Sequence, residues 1–412
     1  MKVIIIGAGV IGVASAWYLA ADGHEVTVVE RAEGPAMGTS FGNAGGVCPG
    51  FAGPWAAPGM PLKALKWMGR AHAPFKLRPR ADPLQWRWLA AFLRNCTADR
   101  FARNKARMQR MAHYSRACLE ELRAETGIRY HHATRGVLQL FFTEDELAGG
   151  RRAASVLAGM DIAHRLVDRD AALAIEPALA HDAGSDGARL LGGLHLPGDE
   201  TGDCHLFTRA LTDLLAARGV RFHFGCAVSA LQVRAGRIAA LMTAEGEMTA
   251  DTFVLATGPW APSLLAPLGI RLPVYPVKGY SMTCAITDPD AAPRSSVMDE
   301  HSKIMVTRLG NRLRAAGSAE LAGFTPGIPA AARRALTERV RFLFPRAANY
   351  EAGEYWYGFR PMTPDGPARI GRAGFDNLFL NTGQGSNGWT QACGSGRVLA
   401  DLIAGRTPAV MP

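Results

Sequence analysis

The first thirty residues constrain the fold more than any other part of the chain. They read MKVIIIGAGVIGVASAWYLAADGHEVTVVE, with the spacing G-x-G-x-x-G at Gly7, Gly9 and Gly12. An apolar run precedes these glycines, an alanine-rich segment follows them, and a second apolar run ends at Glu30. Short apolar runs are typical of buried parallel strands. The order strand, glycine turn, helix, strand and acid predicts a dinucleotide-binding βαβ unit. We interpret the start of the chain as this unit and not as a secretory signal.

Each residue of the glycine turn has its own predicted task. Gly7 allows the tight turn, Gly9 lets the backbone approach a pyrophosphate, and Gly12 lets the helix pack on the strand. The helix N-terminus adds unpaired N–H groups and the positive end of its dipole. Glu30 is expected to bind a ribose diol, and an acid there disfavours NADP. The predicted binding residues are Gly7, Ala8, Gly9, Val10, Ile11, Gly12, Glu30 and Arg31; the alternative is a glycine turn that binds nothing.

Two later segments favour FAD over NAD. The segment GTSFGNAGG, residues 38–46, offers hydroxyls for phosphate oxygens and glycines that let the backbone pass beside a flat ring. The segment FVLATGPWAPSL, residues 253–264, is a predicted strand that returns to the nucleotide. Taken singly, each segment also fits an ordinary loop. The residues predicted to contact FAD here are Thr39, Ser40, Asn43, Ala44, Gly45, Gly46, Val228, Thr257, Gly258 and Trp260.

A second glycine-rich run, NTGQGSNGWTQACGSG, occupies residues 381–396. One loop cannot hold both ends of FAD, so we place this run at the flavin end. A helix that starts near Gly388 would point its N-terminal N–H groups at the ring, where the helix dipole favours the anionic reduced flavin. We interpret Gly394 and Gly396 as close-packing positions against the sheet. The predicted flavin contacts are Gly385, Ser386, Asn387, Gly388, Trp389 and Thr390, with Gln384 as a further donor.

The length of 412 residues exceeds what a single core usually supports, so two domains are predicted. The predicted strands leave the nucleotide-type sheet, build a second sheet and return, which makes both domains discontinuous. The predicted fold class is α/β, with a Rossmann-like FAD-binding domain and an α+β substrate domain whose sheet is mixed or antiparallel. We assign residues 1–85, 198–270 and 355–412 to the FAD-binding domain and residues 86–197 and 271–354 to the substrate-binding domain.

Positive charge is concentrated in one segment. Residues 51–112 contain 13 Lys and Arg, 2 Asp and four of the eight tryptophans, whereas the net charge of the whole chain is +10. Basic residues interleaved with aromatic ones occur in nucleic-acid binders, but the flavin motifs argue against a nucleic-acid partner. The same composition suits anionic lipid headgroups. We therefore interpret 51–112 as a lid or membrane-facing element, with a solvated basic face as the alternative.

Other chemistries are disfavoured by what the sequence lacks. No apolar run reaches the roughly 18–20 residues that span a bilayer. The seven cysteines form no CxxC pair, which argues against a zinc site, an iron–sulfur cluster or a disulfide framework. We therefore expect no metal centre and no membrane span.

Motifs along the whole chain resemble one known family. They are the Gly7–Glu30 unit, TSFGNAGG, PWAAPGMPLKALKWM (54–68), DETGDCHLFT (199–208), VYPVKGYS (274–281), GFRPMTPDG (358–366) and GQGSNGWTQACGSG (383–396). Together they resemble the bacterial D-amino acid dehydrogenases of the D-amino acid oxidase superfamily of flavoproteins. The family often has His where this chain has Gln384, and Thr-Leu where it has Ser386-Asn387.

The resemblance implies FAD-dependent oxidative deamination of D-amino acids such as D-alanine to 2-oxo acids and ammonia. It implies hydride transfer from Cα to flavin N5, with the electrons passed to a quinone or another respiratory acceptor. It also implies a bacterial cytoplasmic protein that is peripherally associated with the inner membrane. Two alternatives on the same fold are a D-proline or hydroxyproline dehydrogenase and an oxygen-using D-amino acid oxidase. A non-catalytic nucleotide-binding protein anchored by 51–112 is a third.

The predicted catalytic residues are Arg360, Tyr280 and His301. Arginine offers a planar fork that matches a carboxylate, and the resemblance implies that Arg360 binds the substrate carboxylate. The alternative is a structural arginine paired with Asp365. Tyr280 and His301 lie on predicted strands at the substrate side, where they would orient the amine; structural positions fit both equally well. A dedicated base is not required if the amine binds in its neutral form.

Overall fold

A computed structural model describes residues 1–67, 75–160, 162–179 and 189–412. Residues 68–74 of the basic segment, including Arg70, lie outside the described residues, as do the side chains of Lys66 and Trp67. The described strands are β1 (Lys2–Ile6), β2 (Glu25–Val29), β3 (Gly46–Val47), β4 (Phe75–Leu77), β5 (Val137–Phe141), β6 (Arg165–Asp168), β7 (Gly192–Leu196), β8 (Glu200–Thr201), β9 (Arg221–His223), β10 (Val228–Arg234), β11 (Arg237–Thr243), β12 (Gly246–Met248), β13 (Thr252–Leu255), β14 (Tyr275–Ala285), β15 (Ser296–Asp299), β16 (Ile304–Leu309), β17 (Arg312–Leu321), β18 (Glu354–Met362), β19 (Arg369–Ala373) and β20 (Phe375–Thr382).

The helices in the same ranges are α1 (Val10–Ala21), α2 (Met60–Trp67), α3 (Pro83–Asn95), α4 (Ala98–Thr126), α5 (Glu144–Ala158), α6 (Arg169–Ile175), α7 (Cys204–Ala217), α8 (Ala261–Leu265), α9 (Ala330–Leu343) and α10 (Gly388–Ile403). Short 3-10 turns include Gly258–Trp260 and Gly385–Asn387. Of the helices just named, none combines the length and the apolar character needed to cross a membrane.

A six-stranded sheet carries the first glycine turn. Its order is β19-β20-β13-β1-β2-β9, and all neighbours run parallel except β19, which is antiparallel to β20. In the centre, Ile5 pairs with Val28 on one side and Val254 on the other. All three side chains are fully buried, as expected for parallel strands covered on both faces. The predicted Rossmann-like arrangement is confirmed.

Helices α1, α4, α7 and α10 share one apolar cluster with this sheet. The three-stranded sheet β10–β12 and helix α8 cover the other face. A Cβ on Gly394 would lie 2.7 Å from Cα of Ser115 in α4, and one on Gly396 would lie 2.9 Å from the backbone of Ala14 in α1. Both glycines are therefore close-packing positions, but the prediction that they pack on the sheet was wrong. Their neighbours are helices, because α10 lies between α1 and α4.

The second sheet has the order β18-β14-β17-β16-β15-β5-β7-β6, and β4 also pairs with β17. Its neighbours are antiparallel except for the parallel pairs β15–β5 and β17–β4. This confirms the predicted mixed sheet. Helices α6 and α9 cover one face through a cluster that includes Leu138, Met282 and Val306. Residues 42–46 cross the opposite face, where they meet Ser281 and Met305.

Three predicted domain limits differ from the sheet pairing. Strand β4 was assigned to the first domain within 1–85, yet it pairs with β17 of the second sheet. Strand β18 begins in the second sheet, beside β14, although 355–412 was assigned to the first domain. Helix α4, assigned to 86–197, packs in the core of the first sheet through Cys118, Leu119 and Leu122. Strand pairing and helix packing over long sequence distances decide these limits, and local patterns do not reveal them.

We expect Gly394→Ala to destabilise the protein although alanine is the better helix former. The helix propensity of alanine favours it over glycine by about 1 kcal/mol, but overpacking costs about 1–3 kcal/mol, and the new Cβ would press on the backbone of α4. The free energy of unfolding from urea denaturation measures the change.

The matched control is Gly149→Ala in α5. A Cβ there would meet only the end of the Arg152 side chain, at 3.7 Å. This substitution should therefore be neutral or stabilising. A Gly394→Ala variant that is as stable as the Gly149→Ala variant would contradict the close packing of α10 on α4.

Candidate active site

The glycine turn after β1 has the geometry that a dinucleotide requires. Gly7 has φ +107°, and its Cβ position would lie 2.7 Å from the carbonyl oxygen of Ala256. A Cβ on Gly12 would overlap the carbonyl of Gly7, so helix α1 must begin directly against the turn. By contrast, a Cβ on Gly9 would meet only Oγ of Ser40, at 3.5 Å. The side of the turn at Gly9 is therefore open, where the motif places a pyrophosphate.

Glu30 follows β2 at the same edge of the sheet. Its carboxylate accepts hydrogen bonds from the N–H groups of Ala8 at 2.7 Å and Ala32 at 3.0 Å. The Cys226 N–H donates to the Glu30 carbonyl at 2.9 Å, which brings the start of β10 at Val228 toward this edge. The structure thus brings together the glycine turn, the acid and the approach to Val228.

Arg31 and Trp260 lie against each other. The Arg31 guanidinium carbon is 3.8 Å from the centroid of the Trp260 ring. The same indole stacks on Phe324, with centroids 5.1 Å apart, and meets Phe359 edge-on. Their contact joins the first sheet to the loop after β17, and their predicted binding of the cofactor stays a prediction.

The loop 38–46 is fixed to both sheets. Ser40 Oγ accepts a hydrogen bond from the Val10 N–H at the start of α1, at 3.1 Å. Thr39 Oγ1 donates to the carbonyl of Phe359 on β18, at 2.7 Å. The Asn43 side chain accepts from the Gly45 N–H at 2.8 Å, and Gly45 has φ +90°. The Thr39 hydroxyl, predicted to bond a phosphate, therefore holds the loop on β18.

Buried Arg314 on β17 is a second anchor for this loop. Its guanidinium donates to the carbonyls of Phe41 at 3.0 Å and Asn43 at 3.3 Å, and to Thr283 Oγ1 at 3.0 Å. Burial lowers the pKa of Arg314, and the nearby Asp203 counteracts that effect. The sequence did not single out Arg314, because nothing near it in the sequence distinguishes it from a surface arginine.

The loop also lies directly on one face of the second sheet. Cβ positions on Gly42 and Gly46 would clash with Trp356 and with the sulfur of Cys48, respectively. Gly45 would come within 3.3 Å of both Leu309 and Thr307. Ala44 belongs to the small apolar cluster with Cys48 and Met305. Such close approach explains why this segment is rich in small residues.

The second glycine run starts where β20 ends. Gly383 has φ +85° and Gly385 has φ +59°, and no side chain caps the N-terminus of α10 at Asn387. Ser386 is exposed and Gly388 is partly buried. The first N–H groups of α10 are thus free of side-chain caps at the end predicted to face the flavin.

Three side chains of this run are engaged within the protein. Gln384 is buried and donates to Oδ1 of Asn381 at 2.6 Å, so it does not point out as a cofactor donor. The Trp389 ring is buried against Phe207, with centroids 4.7 Å apart. Thr390 Oγ1 accepts from the Cys48 N–H at 3.1 Å. Nε2 of Gln384, predicted as a further donor, is therefore bound within the protein. Nε1 of buried Trp389 has no hydrogen-bond partner among the described residues, and its flavin contact stays a prediction.

The segment after β13 joins the same edge. Thr257 Oγ1 is buried and has no hydrogen-bond partner among the described residues. Gly258 has φ +55°, and its carbonyl accepts from Thr382 Oγ1 at 3.0 Å. An unpaired buried hydroxyl is costly, and a cofactor group beside Thr257 would satisfy it.

Arg360 lies on β18, opposite Val277 of β14. Its guanidinium donates to the carbonyl of Ser318 at 2.8 Å and to that of Gly317 at 3.4 Å. Within the described ranges it forms no ion pair, and burial lowers its pKa to about 10 although nearby Tyr280 acts in the opposite direction. The guanidinium therefore keeps its charge at neutral pH without a protein carboxylate.

The alternative partner of Arg360 is occupied elsewhere. Asp365 binds Arg369 through both carboxylate oxygens, at 2.8 and 2.9 Å. Two residues beyond Arg360, Met362 pairs with Gln384, and its sulfur would lie 2.7 Å from a Cβ on Gly385. Arg360 is therefore close to the second glycine run.

Tyr280 is on the neighbouring strand but faces away from Arg360. The guanidinium of Arg360 lies where a Cβ of Gly279 would be, and adjacent residues of a strand point to opposite faces. The Tyr280 hydroxyl donates to the buried carboxylate of Glu320. Glu320 also binds buried Lys278 at 3.2 Å and the Arg78 side chain. Tyr280 thus belongs to a buried ionic network, and its prediction as an amine-orienting residue was wrong.

His301 lies outside the site. It follows β15, which is four strand positions from β18, a separation of roughly 19 Å at the usual strand spacing. Its side chain is 56% exposed, and Nδ1 bonds to Oε1 of Glu146 at 2.9 Å. The prediction that His301 lines the substrate side was wrong, because sheet order placed its strand far from Arg360.

Comparison with known proteins identifies close relatives. The model of the family described as DAO, FAD dependent oxidoreductase, matches residues 2–402. Proteins named D-amino acid dehydrogenase from Rhizorhabdus wittichii and Methylobacterium nodulans are each 52% identical, over 410 and 411 residues; the alignments cover 100% of this chain and 98% and 97% of the relatives. The solved glycine oxidase of Geobacillus kaustophilus has a TM-score of 0.75 and 25% identity, covering 100% of this chain and 96% of its own. These findings confirm the resemblance, the fold class and FAD as the cofactor.

We expect Glu320→Gln to destabilise the protein at pH 7 by about 3–5 kcal/mol, the usual cost of breaking a buried ion pair. Burial alone would raise the pKa of Glu320, but the Tyr280 hydroxyl and Lys278 outweigh it, so the pKa lies below its ordinary value of 4.5. A lowered carboxyl pKa stabilises the fold above that value and loses its effect as the pH falls through the folded pKa.

The difference between wild type and Glu320→Gln should therefore be largest at neutral pH and shrink below about pH 4.5. Urea denaturation at several pH values measures it. Tyr280→Phe, which removes one hydrogen bond to the carboxylate, should cost less, about 1–2 kcal/mol. Equal stability of wild type and Glu320→Gln at pH 7 would rule out a stabilising network.

Proposed function

The chain belongs to the DAO family of FAD-dependent oxidoreductases, and on this premise we propose that it oxidises D-amino acids to 2-oxo acids and ammonia. The observation that carries the proposal is the partly buried Arg360 guanidinium on β18, which has no carboxylate partner in the described residues. A buried charge without a partner is costly. A substrate carboxylate would pair with the Arg360 guanidinium in the bidentate geometry that arginine favours.

The relatives support the D-amino acid as the substrate class. Both of the 52% identical proteins carry the name D-amino acid dehydrogenase, and the glycine oxidase at 25% identity acts on an amino acid that has no side chain. Arg360 binds a group that all amino acids share. The stereochemistry and the range of side chains therefore depend on the surroundings of Arg360.

The cofactor residues divide into two groups along FAD. The open side at Gly9 and the N–H groups of α1 would hold the pyrophosphate, and Glu30 would bind the ribose. The flavin end would be held by the backbone of 42–46, the hydroxyl of Thr257 and the uncapped start of α10. Bound FAD supplies the acceptor for the hydride that leaves the substrate Cα.

The chain's own residues then position the substrate. Arg360 holds the carboxylate, and the contact of Met362 with Gly385 keeps β18 beside the start of α10. A separate catalytic base is not needed if the amine enters neutral, because loss of the Cα hydride then leaves an imino acid that water hydrolyses. The positive end of the α10 dipole would favour negative charge on a flavin bound beside it.

A partly apolar, basic surface supports contact with a membrane. On α3, Leu84, Trp86 and Leu93 are 53%, 50% and 53% exposed, and Arg87 and Arg94 are exposed beside them. Trp86 and Leu93 are seven residues apart, so they share one face of the helix. Exposed large apolar residues next to cations suit the headgroup region of an anionic bilayer.

The opposite face of α3 connects this surface to the substrate site. Trp88 is buried, stacks on Phe92 and donates from Nε1 to the carbonyl of Met362 at 2.8 Å. Met362 is two residues from Arg360 on β18. Helix α3 therefore forms a wall beside the site with its outer face available to lipid. We assign to α3 the role of a membrane-facing lid. Contact of this helix with the inner membrane of a bacterial cell would bring the site close to a quinone acceptor.

We expect Arg360→Lys to raise KM for D-alanine roughly tenfold to hundredfold, because lysine lacks the planar fork and charged hydrogen bonds contribute about 1.5–3 kcal/mol. Anaerobic reduction of the flavin by a panel of D- and L-amino acids measures the effect.

Peroxide formed in air, compared with turnover on a dye acceptor, separates a dehydrogenase from an oxidase. D-Proline in the amino acid panel tests the alternative of a cyclic substrate.

Arg372→Lys is the control for this experiment. Arg372 is exposed and pairs with Asp376 at the start of the neighbouring strand β20, so the KM of this variant should match that of the wild type. FAD content must be equal in all variants. An unchanged KM in Arg360→Lys would remove the carboxylate role from Arg360.

We expect the double variant Trp86→Ser, Leu93→Ser to bind anionic vesicles at least tenfold more weakly than wild type, because each large apolar side chain contributes about 1.5–3 kcal/mol when buried. Vesicles that contain ubiquinone also report electron transfer. With D-alanine, the variant should reduce vesicle quinone more slowly but keep its rate with a soluble dye.

The matched control is Val156→Ser, Leu166→Ser, which removes two apolar side chains of 43% and 44% exposure from other surfaces. Co-sedimentation at low and high salt gives the affinities. Equal retention of the two double variants would argue against α3 as the lipid-facing element.

A further inference from the structure

Two glycines face each other under the Arg360 site. Gly279 of β14 and Gly358 of β18 are directly paired, so their Cα atoms are about 4.5–5.5 Å apart. Neither has φ in the left-handed region. Backbone conformation therefore does not require glycine at these positions, and the reason must lie in what occupies the space above them.

The space above this pair holds two large side chains. Cβ positions on Gly279 would overlap the Arg360 guanidinium, and those on Gly358 would overlap the Trp356 ring. Trp356, Gly358 and Arg360 alternate along β18, so their side chains share one face of the sheet. The guanidinium and the indole thus lie next to each other on a floor without side chains.

The Trp356 ring packs against the loop 38–46. A Cβ on Gly42 would clash with the indole and would lie 2.6 Å from Oγ of Ser281, the residue paired with Trp356 across the strands. The Phe41 ring is 6.1 Å from that of Trp356, and it meets His205 edge-on at 4.8 Å. The indole is therefore held in place on the face that the loop crosses.

We infer that Trp356 determines side-chain specificity, by forming the wall that limits the size of the group on the substrate Cα. The inference rests on the proposed function, because it takes Arg360 as the carboxylate partner. In a carboxylate bound by the guanidinium, the substrate Cα is one bond from the carboxylate carbon and therefore stays close to Arg360. The indole then bounds the space on the side of loop 38–46, and a rigid aromatic wall favours small side chains such as the methyl group of D-alanine.

Substitution of the two paired glycines separates the carboxylate-binding role of Arg360 from the specificity role of Trp356. Gly279→Ala displaces the guanidinium, so KM should rise by a similar factor for every D-amino acid. Gly358→Ala displaces the Trp356 ring and Trp356→Leu replaces it with a smaller side chain. Both should change the ratio of kcat/KM between large and small substrates. Differences of one methylene in a pocket change selectivity by roughly 10–200-fold. We expect Trp356→Leu to raise kcat/KM for D-leucine relative to D-alanine by at least tenfold.

The matched control is Tyr357→Leu, which removes an aromatic ring from the opposite face of the same strand. Binding of acetate, propionate, butyrate and valerate to each holoenzyme, measured by calorimetry, gives a second readout that does not depend on turnover. In Trp356→Leu, affinity should increase with chain length more steeply than in wild type. Trp356→Phe, which keeps the packing against Gly42, serves as a milder variant if Trp356→Leu loses FAD or stability.

The outcomes distinguish this inference from the proposed function. If wild type oxidises D-alanine and the Trp356 variants change KM for all D-amino acids by one common factor, the specificity role is overturned and the function stands. If no D-amino acid reduces the wild-type flavin, both are overturned. A changed size profile in Trp356→Leu and Gly358→Ala, with an unchanged profile in Gly279→Ala and Tyr357→Leu, supports the wall.

Discussion

Parallel pairing of neighbouring strands is the constraint on which the cofactor site depends. Strands β2, β1, β13 and β20 run in the same direction, so their carboxyl ends meet at one edge of the sheet, where ligands of such sheets bind. Glu30, Gly7, Thr257 and Gly383 each follow one of these four ends. Segments that are more than 370 residues apart in the sequence are thereby brought to a single cofactor.

Strand β14 has a paired charge on one face and an unpaired charge on the other. On one face, the buried side chains of Lys278 and Glu320 form an ion pair to which Tyr280 is hydrogen-bonded. On the other face, the guanidinium of Arg360 has backbone carbonyls and, in the described residues, no carboxylate. A paired buried charge stabilises the fold, whereas an unpaired one stores a cost that a ligand can relieve. The difference between the faces separates a structural network from a binding site.

Local patterns predicted the backbone elements at the cofactor end of the site. A glycine turn, an acid after the second strand and a helix start depend on neighbouring residues, so the sequence contains their signal. The substrate end was predicted only in part. Arg360 has a recognisable motif, but His301 was misplaced because its distance from Arg360 is set by the order of strands in the sheet. Trp356 and Arg314 were overlooked because their partners, Gly42 and the carbonyls of 41–43, are distant in the sequence.

The sequence by itself determined the βαβ unit, the two glycine runs and the arginine that is able to bind a carboxylate, because each depends on short-range periodicity or on the chemistry of one side chain. Tertiary structure decided which side chains share a face. It buried Tyr280 against Glu320 and Gln384 against Asn381. It also placed Gly394 and Gly396 against helices and Trp356 beside Arg360, over two paired glycines. The physical reason is that strand order, register and helix packing are fixed by contacts between distant segments, and a one-residue change in register would move each side chain to the opposite face.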